Sequence, residues 1–140
     1  MRSEPYSREI LRLAASLPEP VTLSRTDAQV EVRSESCGSI IRLALNREDD
    51  RVTALSAIVS ACAYGQASAA LMLNHAAGRS ASGIEQALIA IDDWLEGSDA
   101  LVPDWPGIEV LAPARDRPGR HGAVLLPFRA LARAMQATER

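Results

Sequence analysis

Two thiols and one imidazole stand apart in this chain: Cys37, Cys62 and His121. Cys37 falls in Glu35-Ser36-Cys37-Gly38, a turn signature whose glycine lets backbone approach a ligand closely. Cys62 lies where an alternating run ends and an Ala/Leu/Met-rich helical run begins. There the positive end of a helix macrodipole favours a thiolate. His121 follows Arg117-Pro118-Gly119-Arg120 and is placed to open the last helix, with Arg120 adding positive charge beside the thiolates. If three such element ends meet at one edge of a sheet, they offer two sulfurs and an imidazole. That donor set suits a soft or borderline metal, or an iron–sulfur cluster. Spacing alone dictates no metal, because the cysteines are 25 residues apart and form no C-x-x-C pair. Each residue also has a plain structural reading, Cys62 as a small core side chain and His121 as a satisfied helix cap.

The remaining polar residues point elsewhere. His75 falls near the C-terminal end of a buried helix and reads as structural. Asp49-Asp50 and Asp92-Asp93 read as a solvated turn and a helix end, without calcium-loop spacing. All 15 basic residues are arginine, which excludes a Schiff-base lysine and a Walker-type phosphate loop. A Cys/His hydrolase would need a thiol beside an oriented base and a substrate pocket; no pocket motif accompanies these residues, so a binding protein is expected rather than an enzyme. The net charge is −3, yet residues 115–140 hold six arginines against Asp116 and Glu139. This basic end is a solvated helix face or a partner-docking face. It lacks the aromatic platform on which bases stack, and no nucleic-acid partner is expected.

The elements that must position the three residues can be read from periodicity. Tyr6 to Leu17 places Ile10, Leu11, Leu13, Ala14 and Leu17 at helical spacing behind a Ser7 cap, and Pro18 and Pro20 end it. Three strands are expected over Gln29–Ser34, Ser39–Asn46 and Val52–Ser60, the last with Val52, Ala54, Ser56 and Ile58 opposite Leu55, Ala57 and Val59. Asn46 to Asp50 reads as a hairpin turn. Gln66 to Ala77 reads as a helix apolar nearly all round, stopping at Gly78. Ser82-Gly83-Ile84-Glu85 fits a capping box before the stripe Ile84, Ala87, Leu88, Ile91. Residues 97–120, with four prolines, read as a long irregular stretch of functional weight. A final helix is expected over His121–Gln136, kinked or begun by Pro127.

The order predicts an α+β fold: a three-stranded antiparallel sheet with helices packed on one face. At 140 residues, 47% apolar and 24% charged, the chain reads as a single domain spanning 1–140. No window approaches 18 apolar residues, so no membrane partner is expected. The charged N-terminus (Arg2, Glu4, Arg8, Glu9, Arg12) is unlike a signal peptide, and the expectation is a cytoplasmic protein with reduced thiols.

Two motifs also carry a family resemblance. Cys37-Gly38-Ser39-Ile40-Ile41-Arg42-Leu43 resembles the first cysteine motif of NifU/IscU-type iron–sulfur cluster assembly scaffolds, and Ala61-Cys62-Ala63-Tyr64-Gly65-Gln66-Ala67-Ser68 is similar to the second. Tyr6-Ser7, Gly78-Arg79 and Arg120-His121 fall in the family's order. The resemblance implies a SufE/NifU-like fold, with Cys37, Cys62 and His121 binding iron and sulfide or persulfide. The cargo it implies is a transient iron–sulfur cluster of [2Fe–2S] type, or a single iron or zinc ion. The implied partners are a cysteine desulfurase, recipient iron–sulfur apoproteins and a second copy in a homodimer. Gly122 stands where the family's third cysteine follows the histidine, and Ser39 stands where an aspartate follows the first cysteine. Leu111-Ala112-Pro113-Ala114-Arg115 only faintly echoes the family's chaperone-recognition tract. The alternative is a SufE-like persulfide carrier that uses Cys37 and binds no metal.

Overall fold

The computed structural model describes residues 7–35, 38–97 and 101–137. Helix α1 (Arg8–Ala15) is followed by strands β1 (Ala28–Arg33), β2 (Ile40–Glu48) and β3 (Arg51–Ser60), then helices α2 (Ala63–His75) and α3 (Ala81–Leu95). A 3-10 segment (Ile108–Asp116) and a shorter 3-10 turn (Pro118–Arg120) lead into α4 (His121–Ala137). The architecture is α+β, with one antiparallel sheet in the order β1-β2-β3.

Alternation along the strands decides which face is buried. Val32 pairs with Ile41 and Ile41 with Val59, while one row away Leu43 pairs with Val30 and Ala57. These rows point to the helices, and Ile41, Leu43 and Leu45 are wholly buried. Helices α2 and α4 lie directly on this face; α1 packs on α2, and α3 on α4. The other face keeps Glu31, Arg42 and Ile58 exposed. It is crossed near β3 by the segment after α1, where the Val21 amide donates to Ser56 Oγ at 2.8 Å.

Four local expectations are corrected. Asn46 pairs with Ala54 and Arg47 with Val52, so Thr53 is an extra residue in β3. This bulge reverses the alternation, and Val52, 1% exposed, joins Leu55, Ala57 and Val59 on the helix side rather than Ala54, Ser56 and Ile58. β2 continues to Glu48, which shortens the hairpin turn to Asp49-Asp50, with Asp49 at φ 56°. An aspartate tolerates that left-handed geometry better than most residues. Helix α3 is capped by Ser80, whose Oγ accepts from the Gly83 amide at 3.1 Å, so Ser82 lies inside the first turn and makes no capping box. Helix α2 starts three residues before Gln66, directly after Cys62. By contrast, the Ser7 cap is as expected, its Oγ accepting from the Ile10 amide at 3.1 Å. His75 closes α2, and its carbonyl accepts from Arg79 Nε at 2.7 Å.

The stretch after α3 is more ordered than its composition suggests. The chain winds in 3-10 turns over Ile108–Asp116, with Pro113 inside them. Trp105, 1% exposed, donates from Nε1 to the Leu71 carbonyl at 2.9 Å and packs edge-on against Phe128 with centroids 5.0 Å apart. The Arg79 guanidinium lies 3.9 Å over the same indole. Gly107 takes φ 84°, and a Cβ there would come within 2.7 Å of Leu71 Cδ2. The angle favours glycine, and any side chain there would also have to displace the Leu71 methyl. Pro127 sits buried in the second turn of α4, which runs through it as one helix. Among the described residues, no helix is long and apolar enough to cross a membrane.

Candidate functional site

The site sits at the end of the sheet where β1 finishes, β2 begins and β3 finishes, a placement set by the pairs Arg33↔Ile40 and Ile40↔Ser60. The connection from β1 to β2 is tight: the Ser34 amide donates to the Ser39 carbonyl at 2.8 Å, and the Gly38 amide to the Ser34 carbonyl at 2.9 Å. Gly38 takes φ 75°, a left-handed conformation that glycine adopts without strain. Cys37 itself lies outside the described residues, as does Ser36. Their described flanks, Glu35 and Gly38, are in this turn.

Cys62 is the N-cap residue of α2, in extended backbone conformation, two residues beyond the end of β3. It is a free, half-buried thiol, and its side chain makes no capping hydrogen bond. The first turn is closed by main chain and Gln66 instead. The Gln66 amide donates to the Cys62 carbonyl at 2.9 Å, and its Nε2 donates to the Ala61 carbonyl at 3.0 Å.

His121 opens α4, half-buried, as the spacing predicts. Two contacts bring its helix to that of Cys62. A Cβ on Gly65 would meet the Ala123 carbonyl at 3.5 Å and the Ala123 Cβ at 3.6 Å. Ser68, fully buried, donates from Oγ to the Val124 carbonyl at 2.6 Å, which satisfies a hydroxyl that would otherwise be costly to bury. α2 and α4 therefore start side by side, with Cys62 and His121 each within one turn of this contact. The same imaginary Cβ would be 2.6 Å from Ala61 Cβ, so only a glycine at 65 allows the strand end and both helices to close.

The surroundings refine the donor set. Ser39 is 4% exposed, and its main-chain carbonyl accepts from the Ser34 amide at 2.8 Å. Gly122 supplies no side chain. Among the described residues, no group of three His, Cys, Asp or Glu side chains is gathered as a metal site. Leu111 and Ala114 are buried, so the Leu111–Arg115 tract is turned partly inward rather than presented whole to a partner. Two features had little trace in the sequence. Gly65 is one glycine in a helix whose purpose is a distant contact. The main-chain carbonyls of Ala114 and Arg115, which accept from His121 Nε2 at 2.9 and 3.2 Å, carry no side-chain signature at all.

No protein-family model matches the chain, and no curated protein does. Solved structures do. A nitrogen-fixing NifU-like protein (N-terminal) from Brucella abortus is 31% identical, with 94% of this chain and 92% of that one covered at a TM-score of 0.86. A proposed iron–sulfur cluster assembly scaffold protein for the SUF system of the thermophile Fervidobacterium islandicum AW-1 shares the fold at 20% identity, with coverages of 94% and 96% and a TM-score of 0.77. A hypothetical protein shares it at 18% identity and a TM-score of 0.71. With nearly a third of residues identical to the Brucella protein across almost the whole length of both chains, this chain belongs to the NifU/IscU-type family.

Proposed function

We propose that this protein is a cytoplasmic iron–sulfur cluster assembly scaffold, which binds its cargo at Cys37, Cys62 and His121 and does not turn over a substrate as an enzyme. The observation that carries this reading is the shared start of α2 and α4 at the sheet end that also bears the β1–β2 turn. A half-buried thiol and a half-buried imidazole begin adjacent helices there. A sulfur and an imidazole nitrogen are donors that iron and zinc both accept.

Sulfur would arrive as a persulfide on a cysteine desulfurase. A thiolate of Cys37 or Cys62 attacks the terminal sulfur, the desulfurase thiolate leaves, and the persulfide passes to the scaffold. Reduction to sulfide takes two electrons from an external donor. Two sulfurs and one imidazole leave a [2Fe–2S] cluster one ligand short, so a second copy of the chain, an external thiol or a recipient apoprotein completes it. That open position suits a cluster that has to leave.

Anaerobic reconstitution of the full chain with ferrous iron and sulfide tests the reading. Visible absorbance from sulfur-to-iron charge transfer is expected in the wild type and lost in Cys37→Ala and Cys62→Ala. If the wild type stays colourless but Cys37 accepts a persulfide from a desulfurase, the protein is a sulfur carrier and the scaffold reading fails.

A further inference from the structure

His121 is held, and what holds it decides which ring nitrogen is open. Nε2 lies 2.9 Å from the Ala114 carbonyl and 3.2 Å from the Arg115 carbonyl. A carbonyl oxygen only accepts, so Nε2 carries the proton and shares it between the two oxygens. In the neutral ring the lone pair then falls on Nδ1, the nitrogen on the other side of the ring. Ala114 is fully buried, and its carbonyl also accepts from the Arg117 amide at 2.9 Å, so this acceptor is fixed from two directions.

The carbonyls are themselves anchored by one side chain. Arg115 donates from Nε to the Trp94 carbonyl at 2.8 Å, and its guanidinium carbon lies 5.3 Å from the centre of the Trp94 ring. Trp94 is 2% exposed in the last turn of α3. A rigid helix end thus grips Arg115, and the main chain of Arg115 and its neighbour grips the imidazole.

We infer that Arg115 is a positioning residue for the proposed site: it fixes His121 as the Nε2–H tautomer and leaves Nδ1 as the atom that ligates metal. Metal-bound histidines commonly donate their other N–H to a carbonyl or carboxylate, which orients the ring and raises its basicity; loss of such a partner typically costs about 10–100-fold in metal affinity. The ligand half of this inference rests on the scaffold reading. The tautomer half does not.

Two-bond ¹H–¹⁵N correlation spectra of the metal-free full chain give the His121 tautomer directly. The Nε2–H pattern is expected, and an Nδ1–H pattern overturns the inference whatever any variant does. In Arg115→Ala the His121 ring should become a mixture of tautomers, and anaerobic Co²⁺ binding, read from sulfur-to-cobalt absorbance, should weaken about 10–100-fold. Arg115→Lys keeps a donor for the Trp94 carbonyl and should recover most of the loss. A folded Arg115→Ala protein with unchanged tautomer and unchanged Co²⁺ affinity overturns the inference. Should Arg115→Ala not fold, the wild-type spectrum and Arg115→Lys still decide it, because a normal Nε2–H ring with weakened Co²⁺ binding in Arg115→Lys would contradict it. A wild-type chain with the expected tautomer that binds no Co²⁺ counts against the scaffold reading and not against the anchoring of the ring.

Discussion

The sheet with its two covering helices and the segment 101–120 are ordered by different means. In the first, order comes from repetition. Alternating apolar residues of β1–β3 meet the apolar faces of α2 and α4, so burial is spread over many side chains. In the second, the chain is irregular and a few side chains hold it: Trp105 against Leu71 and Phe128, Arg79 over the indole, Arg115 on Trp94. Distributed order tolerates change at many points, whereas pinned order fails at a few. The imidazole of the proposed site hangs from the pinned region and the thiol of Cys62 from the regular one. The two halves of one site therefore differ in what would disturb them.

The strongest way to break the contrast is Trp105→Ala. It removes a buried indole, its hydrogen bond and the surface under Arg79, and should cost about 3–5 kcal/mol. Thermal melts give the size; hydrogen exchange gives the place, with amides of Ile108–Asp116 losing protection ahead of those in β2. Uniform loss across both regions would show that the segment is not a separately pinned unit. Gly65→Ala tests the regular half at its tightest point. Its new Cβ meets Ala61 Cβ, which has no flexible end to move aside, and about 1–3 kcal/mol should be lost despite the better helix propensity of alanine. A more stable variant would mean that strand end and helices have room the close contact denies. Trp105→Phe is gentler: it keeps an aromatic body and removes only the indole N–H that the Leu71 carbonyl accepts besides its own helix bond, at about 0.5–1.5 kcal/mol by chemical denaturation.

The smallest effect should come from the exposed sheet face. Glu31 is held below the usual carboxylate range chiefly by its hydrogen bond from Arg42, at 2.7 Å, with Arg33 adding to it. A lowered folded value means that any stabilisation is present above the carboxylate's unfolded value and fades as pH falls through the folded one. The groups are exposed, so Glu31→Gln should leave the melting temperature unmoved at neutral pH. A clear drop would assign this face a structural share that its exposure argues against.

Much of the regular half was legible in sequence, because period-two and period-3.6 patterns are themselves the cause of the burial. The three strands, Ser7 as a cap and His121 as the start of α4 follow from residue types alone. The failures share a physical origin. The bulge at Thr53 depends on cross-strand register, which no single strand encodes. Ser80 rather than Ser82 caps α3, and Ser80 also bridges to Arg51, a residue distant in the chain. The pins of segment 101–120 join residues far apart in the chain, such as Trp105 and Leu71. The carbonyls that hold His121 are backbone atoms with no identity to read. For the site, the sequence marked the donor residues, while the orientation of the ring came only from tertiary contacts.

Arg47 has a practical consequence at the opposite pole. From β2 its guanidinium donates to the Met135 carbonyl at 2.9 Å and to the Asp49 carbonyl at 2.8 Å, which fastens the tail of α4 to the hairpin. A dye or immobilising handle joined after Ala137 is thus separated from His121 by a 17-residue rod, about 25 Å long, whose outer end is tied down. Surface capture through that terminus leaves the sulfur-bearing pole facing solution, ready for titration with metals or partner proteins.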